Sequence, residues 1–451
     1  MAEAAGAFYA VETFVEGAIA VAKGVYDPTL PLRVDLLQVK DIDLPRYNHT
    51  VSLVKGRAYV FGGITKKEGS EEELADNDIH VIILPIPGTE GSDYKKIASS
   101  SDSPPPRQGH SAAVIDDHIF VYGGASLSGE PLEESGTVWA FSTTTSTWKK
   151  LTPAHGTDPP PNRTQHASVA TPHPQKPFKR TDENLIPQLP SDPSKHVPEP
   201  PAPLTYGTLI IHGGIPSPSS DPYNDVWSLD ISTLTWSPLP TPTSPVRPSP
   251  SPCLALDSTR LYIYAADTVH ALTLTASATS DTAGPGPDEL GVSALSPWTP
   301  LSKDSHSEGP GSRSGAFISP ITTGQGRNYL ALLGGSLSGS SSGSGAEGKG
   351  EGGDIWTLQL QPEGMTAASF KDAARMAVKK GTGEKEWAEV RYFDGEGVMV
   401  QEGQEGRGVP GREGFAAARD GEEDGGTVFV HGGRGAGGEV RGDGVLVTFG
   451  I

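Results

Sequence analysis

Short runs of apolar residues, alternating with polar ones and cut by turn formers, fill most of this chain. The pattern is clearest from Arg107 to Leu151, where SAAVI, HIFVYGG, TVWAF and TWKKL read as four strands divided by polar breaks. One small sheet of this kind cannot bury both faces, so it needs copies of itself alongside. Those copies are present. One begins at Arg46 (RYNHTVSLV, RAYVFGG, NDIHVIIL, YKKI) and another at Arg163 (RTQHASVA, GTLIIHGG, NDVWSLDI, TWSPL). A degenerate fourth unit follows, with Ala265-Ala266 in place of Gly-Gly in RLYIYAA, ending in TVHALTL and WTPL. The fifth runs RSGAFISP, NYLALLGG, GDIWTLQL, EWAEV, and the sixth REGFAAAR, TVFVHGG, GVLVTFGI.

The sixth unit supplies only three strands. An alternating stretch, LRVDLLQVKDI (Leu32–Ile42), stands before the first unit, where the fourth strand of a preceding blade would lie. The expectation is an all-β, six-bladed propeller of four-stranded blades over residues 32–451. The N-terminal strand 32–42 completes blade six, and ring closure removes the exposed edge of an open array. The 7 tryptophans keep this register. Trp139, Trp227 and Trp356 fall on third strands, and Trp148, Trp236, Trp298 and Trp387 on fourth strands. They are expected as packing wedges between blades.

Composition narrows the function. Gly 56, Pro 41 and a hydrophobic content of 35% suit a turn-rich β protein. The net charge of -20 opposes sequence-independent nucleic-acid binding and an anionic membrane surface, so neither nucleic acid nor membrane is expected as a partner. A lone cysteine, Cys253, leaves no internal disulfide and no Cys-based zinc site. The N-terminal residues lack a basic n-region, and no long uncharged apolar run suggests a span, which points to the cytoplasm or the nucleus.

Three segments stand apart from the repeats. Residues 1–31 form a lead-in, in which Phe8, Val11, Val15, Ile19 and Ala22 recur at helical spacing over 6–24 and predict an amphipathic helix packed on the main domain. A Pro-rich insertion, 171–203, carries Lys176, Lys179 and Arg180 and predicts a partly polyproline segment. A helical insertion within 364–383 (TAASFKDAARMAVKK) places Phe370, Ala373, Ala374 and Ala377 on one side. Both insertions are expected at the end of their blades opposite Gly-Gly.

The double glycines at Gly62-Gly63, Gly123-Gly124, Gly213-Gly214, Gly334-Gly335 and Gly432-Gly433, each followed by a third strand, resemble the kelch-repeat β-propeller family. The fourth unit departs from the pattern. The propeller is also distantly similar to the central domain of galactose oxidase. Nothing marks that enzyme's Tyr–Cys partner for Cys253, and the Glu-x3-Asp-x3-His iron motif of the plant nitrile-specifier proteins does not occur. The resemblance implies a protein–protein interaction or ligand-binding module. In kelch adaptors, arginines at matching positions bind acidic peptides.

Each clear unit begins at an arginine and its second strand ends at Gly-Gly. Antiparallel pairing puts both points at one end of the blade. Arg46, Arg107, Arg163, Arg313 and Arg412, with Arg247 as a doubtful sixth, are therefore expected around the mouth on one face. Two readings stand. In one, each arginine bonds carbonyls of a neighbouring blade and merely closes the ring. In the other, the arginines form a cationic mouth for a protein or acidic-peptide partner, or for a small acidic ligand. His49, His110 and His166 follow at a common offset, as framework or as ligand contacts. No catalytic residue, metal site or cofactor is assigned. The alternatives to a binding module are a non-metal pocket enzyme of cyclase or isomerase type and a structural subunit of a larger assembly.

Overall fold

Each repeat unit folds as an antiparallel sheet whose strands pair in chain order. The computed structural model describes residues 31–66, 69–85, 92–174, 206–242, 251–265, 267–278, 290–301, 309–323, 326–337, 353–362, 364–379, 381–394, 397–401, 407–419 and 426–450. The expected N-terminal helix at 6–24, Arg247 and most of the Pro-rich insertion lie outside the described residues.

Blade 1 comprises Thr50–Val54, Arg57–Phe61, Ile79–Ile83 and Asp93–Ile97; blade 2 comprises Ser111–Ile115, His118–Tyr122, Val138–Ser142 and Thr147–Leu151. Blade 3 comprises Ala167–Thr171, Thr208–His212, Val226–Asp230 and Thr235–Leu239; blade 5 comprises Phe317–Thr322, Asn328–Leu333, Ile355–Gln359 and Trp387–Glu389. In blade 6 the strands Ala416–Arg419, Thr427–His431 and Gly444–Gly450 are joined by Arg33–Val39, which runs antiparallel to Gly444–Gly450 over its whole length, from Arg33 opposite Gly450 to Val39 opposite Gly444.

Two blades depart from the simple plan. Blade 6 gains a fifth strand, Arg391–Phe393, parallel to the first residues of Arg33–Val39. In blade 4 the third strand is long, Thr268–Ala278. It pairs with Thr299–Pro300 near its start and with Leu290–Ala294 near its end, so the outer position is shared between two short strands.

The burial gradient across a blade explains the sequence pattern. Second strands are covered on both faces, and in Ile119–Tyr122 or Leu209–His212 every residue is buried. Fourth strands such as Thr147–Leu151 are largely exposed and read as polar with isolated apolar anchors. Each of the six interfaces between neighbouring blades holds its own apolar cluster. Leu32 and Val34 of the N-terminal strand enter the cluster shared by blades 5 and 6, and Val39 enters the one shared by blades 6 and 1. The closing strand is thus packed into two seams as well as hydrogen-bonded.

The tryptophans pack in the seams between blades: Trp139, Trp227 and Trp356 of the third strands join the apolar clusters of blades 1 and 2, 2 and 3, and 4 and 5, and the fourth-strand tryptophans reach a neighbouring blade directly. The Trp236 indole donates to Gly136 O of blade 2 at 2.9 Å, and Trp298 to Pro240 O beyond blade 3 at 2.7 Å. Trp148 packs at a tilt against Phe61 of blade 1 with ring centroids 5.2 Å apart, and Trp387 meets Tyr264 of blade 4 edge to face at 5.8 Å. The third-strand tryptophans have a second task, described below.

The helical insertion forms a helix at Ala367–Ala377, opened by a capping box between Thr366 and Ser369. Its buried residues are Ala368, Asp372 and Arg375, whereas Phe370, Ala373 and Ala377 face outward.

Candidate functional site

The end of the ring that carries the Gly-Gly turns is built around six residues in left-handed conformation: Asn48 (φ 53), Gly109 (59), Gln165 (55), Ser251 (54), Gly315 (68) and Gly414 (61). Each sits just before the inner strand of its blade. Their backbones link blade to blade: Asn48 N–H donates to Gly414 O (2.7 Å), Gly109 to Asn48 (2.9 Å), Gln165 to Gly109 (2.6 Å), Ser251 to Gln165 (3.0 Å) and Gly315 to Ser251 (3.0 Å). The result is a collar of main-chain bonds around the mouth. The positive φ turns each peptide across the ring, which Gly does at little cost and Asn tolerates.

The double glycines lock onto this collar from the neighbouring blade. Gly124 N–H donates to Arg163 O at 3.0 Å, and a Cβ on Gly123 (φ 61) would stand 2.7 Å from that carbonyl oxygen and 2.7 Å from the His166 ring. The same contacts join Gly62 to Arg107 and His110, and Gly432 to Arg46 and His49.

The five arginines gather at this end, but their guanidinium groups point into the protein. Arg107 and Arg163 are 0% exposed, and Arg46, Arg313 and Arg412 are buried as well. In Arg163, Nε donates to Pro161 O at 3.1 Å and Nη1 to Gly213 O at 2.9 Å, while the two Nη groups grip Asp225 at 2.6 and 2.8 Å. Arg107 repeats this with Pro105, Gly123 and Glu134, and Arg412 with Pro410, Gly432 and Asp443. Arg313 does so with Pro310, Gly334 and Asp354, and Arg46 bonds Gly62 O, Asp76 and His80.

The expected cationic mouth is therefore revised. Each arginine is neutralised by a carboxylate of its own blade, and the carbonyls it bonds are also its own blade's rather than a neighbour's. Burial alone would raise the carboxyl pKa of Asp225, Asp354 and Asp443. The buried guanidinium beside each more than offsets that, so all three lie below the ordinary aspartate value. The third-strand tryptophans complete the unit: Trp139 Nε1 donates to Glu134 (2.9 Å), Trp227 to Asp225 (2.7 Å) and Trp356 to Asp354 (2.5 Å). In blade 1, His80 takes the tryptophan's place and bonds Asp76 at 2.8 Å.

His49, His110 and His166 each reach back to the preceding blade. His110 Nε2 lies 2.8 Å from Thr50 Oγ1, His166 Nε2 lies 2.7 Å from Ser111 Oγ, and His49 Nε2 lies 2.9 Å from His431 Nδ1 across the closing seam. Burial, followed by His431 for His49 and by the nearby arginines for the other two, holds His49 and His110 well below the usual histidine pKa and brings His166 down to about 3. These rings are neutral framework at physiological pH. They stand one per blade, and among the described residues no group of three or more His, Cys, Asp or Glu is placed to hold a metal.

Above the collar lies a cavity of about 450 Å³ whose rim includes Tyr47, Asn48, Gln165, Ser336, Glu413 and Arg434. Arg434 is the cation on this rim among the described residues. Its guanidinium lies 5.1 Å over the Tyr47 ring and 3.8 Å from Glu72. Burial, followed by a hydrogen bond with Glu72, pushes the Tyr47 phenol up to about 12. Glu413 accepts from Ser336 Oγ at 2.9 Å, tying the rim of blade 6 to blade 5. A second cavity of about 460 Å³ opens at the opposite end between the far halves of the inner strands, with Lys55, Asp116 and Arg419 among its lining residues.

The acids were legible but unread. NDVW, GDIW and GDGV each carry the aspartate one residue before the third strand, at Asp225, Asp354 and Asp443. Arg434 carried a weaker signal, a lone arginine directly after Gly432-Gly433.

The KLHDC2/KLHL20/DRC7 Kelch-repeats domain matches residues 32–175. Tip elongation aberrant protein 3 of Schizosaccharomyces pombe is 25% identical over 210 residues, 44% of this chain and 16% of the yeast protein. Human Kelch domain-containing protein 1 is 31% identical over 109 residues, 24% of this chain and 24% of its own length. The aligned regions thus span a quarter or less of these relatives. The solved structure of YjhT is similar over 92% of this chain and 99% of its own, at 12% identity and a TM-score of 0.47. No helix among the described residues is long and apolar enough to cross a membrane. With its Gly-Gly turns, in-order blades and closing N-terminal strand, the chain is a six-bladed β-propeller whose residues 32–175 match a kelch-repeat domain.

Proposed function

We propose that the protein is a polypeptide-binding module that takes a carboxylate-bearing peptide segment into the cavity above the collar. The observation that carries this reading is the cavity lining: one partly exposed guanidinium, Arg434, supported by Tyr47, beside the uncharged polar groups Asn48, Gln165 and Ser314, with the Glu413 carboxylate of the same rim already accepting from Ser336. Among the described residues one carboxylate, Glu72 at 3.8 Å, approaches this guanidinium, which rests on the Tyr47 ring and keeps donors available for a second acceptor. In this reading Arg46, Arg107, Arg163, Arg313, Arg412, His49, His110 and His166 hold the rim in place rather than touch the ligand. Kelch propellers are commonly protein-interaction modules, which favours a peptide over a small metabolite.

The test is selection of a random-peptide library on the purified full chain, followed by affinity measurement on enriched peptides. Arg434→Ala, which lies outside every buried ion pair, should weaken binding about tenfold or more, equivalent to about 1.4 kcal/mol, with the melting temperature unchanged. Peptides that bind wild type and Arg434→Ala equally would move recognition off this rim.

A further inference from the structure

The helix Ala367–Ala377 is mounted with its polar side inward. Arg327 Nη2 donates to Asp372 Oδ1 at 2.6 Å, with each side chain 8% exposed, and Arg375 is buried beside them. At about 100° per residue, Phe370, Ala373, Met376 and Ala377 share the opposite, outward arc. Met365 (87% exposed), Phe370 (64%), Met376 (64%) and Val378 (46%) cluster on this one insertion. Burying an ion pair costs desolvation, and leaving an apolar arc in water costs more; together they mark a contact surface. Of the charged side chains in 364–379, the two that are not buried, Lys371 and Lys379, are both positive.

The chain contains a segment of complementary character. Phe8, Val11, Val15, Ile19 and Ala22 make one apolar stripe at helical spacing, and Glu12 and Glu16 border it. The tether is short enough to deliver it. Leu32 O and Pro31 O accept from Arg391 N and Nε at 2.8 and 3.0 Å. Arg391 follows six residues after Lys385, whose N–H bonds Gln359 O where the helical insertion leaves its blade. Six residues span at most about 20 Å, and residues 25–30 can cover as much again.

We propose that residues 6–24 of this chain seat as an amphipathic helix on the outward face of Ala367–Ala377, apolar stripe against Phe370 and Met376 and acidic border toward Lys371 and Lys379. This stands independently of the peptide-binding reading above.

The test is disulfide trapping in the full chain carrying Val15→Cys and Ala373→Cys. The native Cys253 is buried and bonded to Ala316 O, so it does not compete. Oxidation should give a cross-linked monomer in most molecules, whereas Val15→Cys with Leu295→Cys, an exposed position on blade 4, should not. Cross-linking no greater than in that control, or found only between molecules, overturns the proposal. A second measurement guards against a trap that distorts the chain. In Val15→Glu/Ile19→Glu, amide exchange of residues 367–377 should quicken about tenfold; unchanged exchange overturns it equally.

Discussion

Replacing Asp225 with alanine tests the revised role of the mouth arginines most directly. The change leaves the Arg163 guanidinium, 0% exposed, without its counter-ion, and leaves the Trp227 indole N–H without its acceptor. Removing one partner of a buried pair costs about 3–5 kcal/mol, and the lower end applies because the Asp225 carboxylate is 29% exposed. At roughly 2.1 cal/mol/K of unfolding entropy per residue, a chain of 451 residues loses about 3 °C of melting temperature for about 3 kcal/mol. The assay is a thermal melt by circular dichroism at neutral pH, with Arg163→Met/Asp225→Leu alongside. The double variant removes both charges and should recover most of the loss, because no charge is then left buried alone. A single variant that melts like wild type would refute the reasoning. It would mean that water reaches Arg163 and that the guanidinium is available at the mouth after all. The same pair sets a pH limit. Asp225 has a folded-state pKa below its unfolded value, so its contribution is complete above the unfolded pKa and is lost as pH falls through the folded one.

Two further outcomes follow from the same framework. His166 and His431, each brought down to about 3, and His212, brought down to about 4, are neutral when folded but take up protons when unfolded, so the unfolded chain binds more protons below about 6.5. Each should therefore cost about 1.4 kcal/mol per pH unit as pH falls below about 6.5, and His166→Gln should flatten the slope of urea stability against pH between 7 and 5; an unaltered slope would show that His166 is not buried neutral. Val34, 0% exposed in the seam between blades 5 and 6, should not tolerate aspartate. Val34→Asp should lower the melting temperature by several degrees for about 3 kcal/mol or more, and a melt unchanged from wild type would mean that the N-terminal strand does not close the ring.

The blades could be read from the chain because their causes are local. A second strand such as HIFVY is apolar at nearly every position since blades cover both its faces, and a Gly-Gly follows because the next blade's collar leaves no room for a Cβ. Closure by the N-terminal strand was legible from a count of strands. The shared outer edge of blade 4 and the fifth strand of blade 6 were not, because short outer strands carry little apolar signal and their pairing is settled by whatever edge is nearest. The outward turn of Phe370 was equally hidden: periodicity defines the two sides of a helix, but not which side the Arg327–Asp372 pair will draw inward.

The candidate site divides in the same way. Sequence alone determined that Arg46, Arg107, Arg163, Arg313 and Arg412 stand at one end of the ring, because each occupies a fixed place in a repeated antiparallel register. Where their charge points was decided only by the tertiary structure. Arg107 meets Glu134 across 27 residues and Arg163 meets Asp225 across 62, and a long side chain at a blade edge turns toward the carboxylate the fold delivers. Arg434 reached the rim for the converse reason: among the described residues it pairs with no carboxylate closer than Glu72 at 3.8 Å, and its guanidinium rests on the Tyr47 ring in reach of solvent.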